Sequence, residues 1–169
     1  MKLESEHWMD AAVLVLQHEI EGEAQLLFTQ RTEEVLHHKG QICFPGGMVD
    51  EGDRSLWDTA LRETREEIGV DPSRITRLKE LSVQYTPTGF RVTPFVATIE
   101  VPQVWSPNPY EIASIFSVPI SHLKDPSHFK LLKKEYQGES YIDPHFTFGQ
   151  HIIWGITGRI LSEYLGIRS

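Results

Sequence analysis

The chain has 169 residues, of which 40% are hydrophobic and 24% are charged, as is ordinary for a globular protein. Its formal net charge of −8 argues against nucleic acid as a partner, but not against a nucleotide, because a metal ion can supply positive charge. The single cysteine, Cys43, excludes an intramolecular disulfide and favours a reducing compartment. No signal-peptide pattern and no membrane-spanning apolar run are present. We therefore expect a cytoplasmic protein with one domain over residues 1–169.

The first part of the chain predicts strands joined by turns. Residues 11–20 form an apolar run typical of a buried strand, and residues 25–31 predict the returning strand. Residues 32–41 lack periodicity and predict a loop. Residues 42–44 predict a short strand that enters a turn at residues 45–47, Pro-Gly-Gly, where the backbone can approach a phosphate or a metal closely.

A helix is predicted between Ser55 and Gly69. Ser55 with Asp58 three residues later has the spacing of a helix start, and Gly69 followed by Pro72 indicates the end. At about 100° per residue, one arc of this helix is suited to a core and the neighbouring arc carries three carboxylates. The first arc holds Leu56, Trp57, Ala60, Leu61, Thr64 and Ile68, and the second holds Glu63, Glu66 and Glu67.

The three carboxylates admit two interpretations. Like charges a few ångströms apart cost on the order of a few kcal/mol per pair near a protein surface. A solvated acidic face, partly neutralised by Arg62 and Arg65, is one interpretation. Further acids upstream favour the other, a set of hard oxygen ligands for Mg²⁺ or Mn²⁺. These upstream acids are Asp50, Glu51 and Asp53.

The second half of the chain mixes predicted strands and helices, which favours α/β layers. Pro94 indicates an edge strand or a bulge. Strands are predicted over residues 78–85, 91–101, 111–118, 129–136 and 141–148, a loop over 102–109, a short helix near 119–123 and a terminal helix over 150–165.

Two segments resemble a known family. Residues 62–70, Arg-Glu-Thr-Arg-Glu-Glu-Ile-Gly-Val, resemble the Nudix box core R-E-U-x-E-E-x-G-U, where U is a bulky aliphatic residue and Thr64 departs from it. Residues 26–50 are similar to the L-L-T-x-R … H-x-G-Q-V-x-F-P-G-G-x-x-D signature of the coenzyme A pyrophosphatase branch. Asp53, in place of the usual Glu and one residue further from Arg62, is similar to that branch. Leu36 stands where the branch has Arg.

The resemblance implies an α/β Nudix fold, a mixed β-sheet sandwiched between α-helices. It implies metal-dependent hydrolysis of coenzyme A or acyl-coenzyme A to 4′-phosphopantetheine, or its acyl form, and adenosine 3′,5′-bisphosphate. The same chemistry on ADP-ribose, NDP-sugars or dinucleoside polyphosphates is an alternative, as is a nucleotide-sensing module without catalysis. The intact set of box glutamates favours an enzyme. The composition also permits a homodimer.

The resemblance also assigns roles to residues. Glu66 and Glu67 are expected to ligate the metal with the Gly47 carbonyl, and Glu63 to ligate it or accept a proton from water. Arg62 is expected to hold one of these carboxylates. Glu111 is the first choice for an acid outside the box, ahead of Glu100 and Asp50. The expected substrate contacts are Arg31, His38, Gly46 and Gly47, with a purely structural role as the alternative for His38.

Overall fold

The computed structural model of the chain describes residues 8–33, 40–100, 104–136 and 138–167. None of the helices in these ranges is both long and apolar enough to cross a membrane. The α-helices are α1 (Leu56–Ile68), α2 (Ile120–Lys124) and α3 (Gly155–Leu165). The strands are β1 (Met9–Ile20), β2 (Glu23–Arg31), β3 (Ile42–Cys43), β4 (Gly46–Met48), β5 (Ile75–Glu80), β6 (Gln84–Tyr85), β7 (Phe90–Ile99), β8 (Ile112–Pro119), β9 (Phe129–Tyr136), β10 (Glu139–Phe148) and β11 (His151–Ile153).

The strands β1–β8 form one mixed sheet. β1 runs parallel to β7, from the Met9–Phe90 pair to the Gln17–Thr98 pair. β2 pairs antiparallel with β1 on one side and with β8 on the other, and β7 pairs antiparallel with β5 and β6. The strands β9–β11 form a separate antiparallel sheet.

The strands β1 and β2 separate beyond their common turn, and the segment carrying β3 and β4 lies between them. β1 pairs with β2 only from Gln17 to Ile20, and its earlier part pairs with β4. β3 pairs with the far end of β2, and Leu14 donates its N–H to the Pro45 carbonyl at 2.8 Å. The turn predicted at residues 45–47 is therefore wrong, because Gly46 and Gly47 belong to a strand inserted into the sheet.

The main sheet has a core on each face, as the alternation of side chains along a strand requires. From β1, Ala12, Leu14 and Leu16 pack toward α1, whereas Val15 packs toward α3 and the small sheet. The main sheet thus lies between α1 on one face and α3 with the small sheet on the other, and the predicted α/β fold is confirmed. The first core also contains Leu27, Ala60, Ile68, Phe95 and Ala97, and the second contains Leu26, Phe28, Phe44, Phe146, Ile153, Ile160 and Leu161.

Two predicted elements differ in the structure. The predicted helix over residues 150–165 begins only at Gly155, because residues 151–153 pair with β10 and Trp154 has an extended backbone. The predicted strand over residues 78–85 is two strands, β5 and β6, which meet β7 on either side of Pro94. Pro94 has no N–H to offer there, and only its carbonyl accepts a bond, from Leu81 at 2.9 Å.

The close contact between α3 and β10 generates a stability prediction. A Cβ atom at Gly158 would overlap the carbonyl oxygen of Pro144, although alanine in a helix is ordinarily favoured over glycine by about 1 kcal/mol. We expect Gly158→Ala to lower the free energy of unfolding by about 1–3 kcal/mol, because the backbone must shift. Chemical denaturation measures the change. Gly52→Ala is the matched control, because a Cβ atom there meets nothing within 4 Å. A Gly158→Ala protein as stable as wild type would contradict the prediction.

Candidate active site

One guanidinium group, that of Arg62 in α1, joins three carboxylates and a backbone carbonyl. Its Nε and Nη2 donate to the two oxygens of Asp53 at 3.0 and 2.9 Å. Its Nη1 donates to Glu63 Oε1 at 2.8 Å and to Glu66 Oε2 at 3.2 Å. Nη2 also donates to the Met48 carbonyl at 2.8 Å, which ties α1 to β4. The sequence predicted that Arg62 pairs with one box carboxylate, and the structure shows that it contacts two.

Asp53 fixes the orientation of Arg62 and was absent from the predicted site residues. Its Oδ2 also accepts from Thr59 Oγ1 at 2.8 Å and from the Asp50 N–H at 3.0 Å. The hydrogen bonds from Arg62 hold the pKa of Asp53 well below its usual range. The available signal was its position, since Asp53 stands where the Nudix pattern has an acid. Asp50, a lesser candidate for the outer acid, contributes its N–H to this network.

Glu67 is buried, with only 1% of its surface exposed. Its Oε2 accepts from the Gly46 N–H at 3.0 Å, and its Oε1 lies 3.6 Å from Nη1 of Arg31. The pKa of Glu67 is raised to about 8, chiefly by burial. The charges of Glu63 and Glu111 add to this effect, and the Gly46 N–H and the Arg31 charge oppose it. Glu67 is buried, although it lies on the arc that carries the three carboxylates, because β4 covers this side of α1.

Two glycines allow β4 to lie against the acidic face of α1. Gly46 has a φ of 152°, and a Cβ atom there would overlap the Ala12 carbonyl oxygen in the neighbouring strand. A Cβ atom at Gly47 would overlap the carboxylate of Glu63. Gly46 and Gly47 were both predicted as site residues. The structure places Gly46 beside the carboxylate of Glu67 and Gly47 beside that of Glu63.

Glu111 reaches the same region through the turn before β8. The Asn108 N–H donates to the carbonyl of Glu67 at 2.9 Å, which attaches this turn to the end of α1. Asn108 Nδ2 lies 3.3 Å from Glu111 Oε1. The charge of Glu111 contributes to the raised pKa of both Glu63 and Glu67. The structure thus brings the predicted outer acid close to the box glutamates.

The remaining predicted contacts divide into two groups. Arg31 lies in the site, beside Glu67, and its buried Nε has no hydrogen-bond partner among the described residues. His38 and Leu36 lie outside the described residues.

The carboxylates fit a hard divalent cation by their chemistry, although their oxygens contact protein donors here. Within the described ranges, no three His, Cys, Asp or Glu side chains are grouped as metal ligands. Burial raises the pKa of Glu63, and the neighbouring Glu66 and Glu111 add to this effect. A cation would relieve this repulsion between carboxylates. The carboxylates therefore fit a hard divalent cation, to which Glu63 and Glu66 can each offer the oxygen that Arg62 does not contact.

Comparison with known proteins identifies the family. The NUDIX domain model matches residues 8–135, which include every described residue of the cluster around α1. The chain belongs to the Nudix family. A protein of Photorhabdus laumondii described as an uncharacterized Nudix hydrolase, NudL, is 34% identical over 138 residues, which cover 82% of this chain and 74% of that protein. The chain is accordingly a Nudix pyrophosphohydrolase for nucleoside diphosphate-linked substrates, as its box predicted.

Solved Nudix structures share the fold. A C. elegans Ap4A hydrolase has a TM-score of 0.56 and 22% identity, over 67% of this chain and 81% of that one. The NUDIX domain of Shewanella oneidensis NrtR, solved with ADP ribose, has a TM-score of 0.54 and 22% identity, over 69% of this chain and 76% of that one. At this identity the likeness concerns the fold alone.

The raised pKa of Glu67 predicts how stability depends on pH in the absence of metal. Between the unfolded value of 4.5 and the folded value of about 8, the folded Nudix chain binds a proton that the unfolded chain has lost. Stability therefore falls as pH rises, by at most about 1.4 kcal/mol per pH unit from this group. We expect Glu67→Gln to reduce this fall between pH 5.5 and 7.5, as measured by denaturation in EDTA. Glu66→Gln, at an exposed position, is the control, and an unchanged slope in Glu67→Gln would count against the assignment.

Lysine at position 62 would keep the positive charge of Arg62 but lose its forked guanidinium group. We therefore predict a loss of activity. Lysine cannot contact Asp53, two glutamates and the Met48 carbonyl together, because it has one nitrogen. We expect Arg62→Lys to lower kcat by about 10- to 100-fold, the usual effect of losing a residue that orients catalytic ligands. Steady-state kinetics measure it. Arg65→Lys, exposed on the same helix, serves as the control. Equal activity of the two variants would show that the charge of Arg62 suffices.

Proposed function

We propose that this Nudix enzyme hydrolyses coenzyme A or its acyl thioesters, with Mg²⁺ or Mn²⁺, to 4′-phosphopantetheine or its acyl form and adenosine 3′,5′-bisphosphate. The observation that carries the proposal is the meeting of two sequence segments. Arg31, which belongs to the branch-like signature and ends β2, lies 3.6 Å from Glu67 in the box. The segment with the Pro-Gly-Gly sequence lies between β1 and β2, with Gly46 bonded to the same carboxylate.

Each residue of the cluster has a proposed task at the metal. Glu66, Glu67 and the Gly47 carbonyl would hold the ion, with Glu111 as the further acid. Glu63 would either hold the ion or accept a proton from water. The ion, when bound, neutralises diphosphate charge and lowers the pKa of a coordinated water. Arg62 keeps Glu63 and Glu66 in fixed orientations.

Glu63 is suited to accept the proton from the attacking water. Its Oε1 is held by Arg62, which leaves Oε2 for the water. Burial raises its pKa, so that it is a stronger base than an exposed carboxylate. Arg31 would bind a substrate phosphate through its guanidinium, and His38 would bind substrate or fix the loop before β3. The glycines at 46 and 47 let the phosphates approach the backbone closely.

A second candidate is hydrolysis of ADP-ribose, NDP-sugars or dinucleoside polyphosphates by the same residues. Leu36, in place of the branch Arg, is the observation that favours it, since a lost substrate contact would change selectivity. A module that binds nucleotide without cleaving it is disfavoured, because such a module has no need of Glu63, Glu66 and Glu67 together. Location in the cytoplasm and a homodimer stay predictions.

The substrate is tested by incubating the purified chain with Mg²⁺ or Mn²⁺ and coenzyme A, ADP-ribose, an NDP-sugar or diadenosine tetraphosphate. We expect coenzyme A to be cleaved best, with 4′-phosphopantetheine separated from adenosine 3′,5′-bisphosphate by chromatography. Preference for another compound would reject the coenzyme A assignment and leave the metal mechanism in place. Cleavage of none would favour the binding module.

Glu66→Gln tests the catalytic assignment separately from the substrate. The side chain is exposed, so the substitution should leave folding intact, and we expect turnover to fall by at least about 100-fold with loss of a metal ligand. Nucleotide binding, measured by calorimetry, should persist. Glu135→Gln, an exposed glutamate on β9, is the matched control. Full turnover by Glu66→Gln would remove Glu66 from the proposed metal site.

A further inference from the structure

A cavity of about 520 Å³ lies on the face of the main sheet that packs against α3. The strands β1, β2, β5 and β7 contribute to it, and its other residues come from α2 and from the C-terminal end of α3. Val96, which belongs to the core on this face, is one of the residues that line it. The carboxylates around Arg62 lie beside α1, on the opposite face of the sheet. The cavity is therefore separate from the candidate active site.

The apolar part of the cavity lining is aliphatic. It consists of Ala24, Leu78, Val96, Ile120 and Leu165. Leu78 is exposed and Val96 is buried, so this lining extends from the solvent to the core. Tyr164 is the one aromatic residue among the described residues that line the cavity. The cavity therefore suits a flexible hydrocarbon chain better than a flat base, which would need an aromatic surface on which to stack.

The polar part of the lining consists mainly of hydrogen-bond donors. The Tyr164 hydroxyl donates to Gln17 Oε1 at 3.0 Å, which orients the Gln17 side chain so that its amide nitrogen is left to donate. The ammonium groups of Lys79 on β5 and Lys124 on α2 line the same cavity. Neither lysine forms an ion pair with any residue in the described ranges. A ligand here must therefore supply an acceptor, and an anionic acceptor fits best.

The acids near the cavity do not pair with these lysines. No carboxylate is among the described residues that line the cavity, although the whole chain has a net charge of −8. Glu19 pairs with Ala24 across the strands, but it is exposed and lies outside the lining. Four acids are sequence neighbours of lining residues, and each accepts a hydrogen bond from another group. These bonds run from Ser121 to Glu23, from Arg77 to Glu80, from Ser127 to Asp125 and from Ser82 to Glu163.

We propose that this cavity binds an aliphatic carboxylate of medium chain length. The hydrocarbon chain would lie against the aliphatic residues, with the carboxylate beside Lys79 and Lys124. The cavity volume falls within the range of about 300–1,000 Å³ that is usual for small-molecule sites. Each methylene group removed from water strengthens binding by up to about fourfold, so the chain supplies most of the affinity and the lysines select the charged end.

Calorimetry of the full chain with decanoate in EDTA tests the site without requiring turnover. We expect affinity to rise from hexanoate to decanoate by up to about fourfold per methylene group, and to level off for chains longer than the cavity. Lys79→Gln combined with Lys124→Gln should raise the Kd of decanoate by about tenfold, because each exposed ion pair contributes up to about fivefold. The Kd of decanol, which has no charge, should stay unchanged. Lys130→Gln combined with Lys133→Gln, at exposed positions on β9 outside the cavity, is the matched control.

Ala24→Phe tests the cavity independently of charge. The phenyl ring would occupy part of the cavity from β2 and displace at least two methylene groups of the ligand. We expect the Kd values of decanoate and of decanol both to rise by at least about tenfold. Thermal unfolding verifies that each variant is folded, and the lysine variants decide the question if Ala24→Phe is not.

Several outcomes would overturn the site. One is no saturable binding of decanoate to the wild-type chain. Another is an equal loss of affinity in the β9 lysine control, which would assign the binding to overall charge. A third is a dimer in sedimentation that becomes a monomer on Ala24→Phe, which would assign the cavity to a second copy of the chain. Failure of coenzyme A cleavage leaves this test unaffected, because no reaction takes place in it.

Discussion

The burial of one carboxylate, that of Glu67, is the constraint on which the active site depends. Its oxygens face the Gly46 N–H and the Arg31 guanidinium, so α1, β4 and β2 must all lie within reach of one side chain. Such an arrangement requires β1 and β2 to separate and the segment of β3 and β4 to lie between them. An acid in this position is costly without a cation, as its raised pKa indicates. The fold therefore maintains an electrostatic strain that a bound ion would remove.

Arg62 compensates part of the carboxylate charge on the other side of the cluster, because it pairs with Asp53, Glu63 and Glu66. Asp53 accepts both parallel N–H groups of the fork and leaves Nη1 for Glu63 and Glu66. The bond from Nη2 to the Met48 carbonyl adds a contact with β4. The same guanidinium thus positions two box glutamates and joins the helix to the inserted strand, which is why the charge of the residue alone does not define its role.

The elements with a strong local signal could be predicted from the sequence. Ser55 accepts the N–H of Asp58 at 3.1 Å and Gly69 ends the helix, as the spacing of these residues predicted. The burial of Glu67 could not be predicted, because β4 covers it. The first two residues of β4 belong to the Pro-Gly-Gly sequence at residues 45–47, which predicts a turn rather than a strand. The error at residues 150–165 has a similar origin, since Ile153 is buried by pairing with Phe146 rather than by helical periodicity. In each case a long-range contact overrides the local pattern.

The parallel pairing of β1 with β7 has a consequence for the order in which the molecule assembles. Five strands and α1 separate these partners along the chain, so the centre of the main sheet closes only across a long loop. Loop closure is entropically costly, and non-local pairing slows folding. During synthesis, α1 would emerge before the strand that completes the surface beneath it. The surface of the sheet beneath α1 is therefore complete only once β7 has been made, and Glu111, which follows β7 in the chain, joins the box glutamates last.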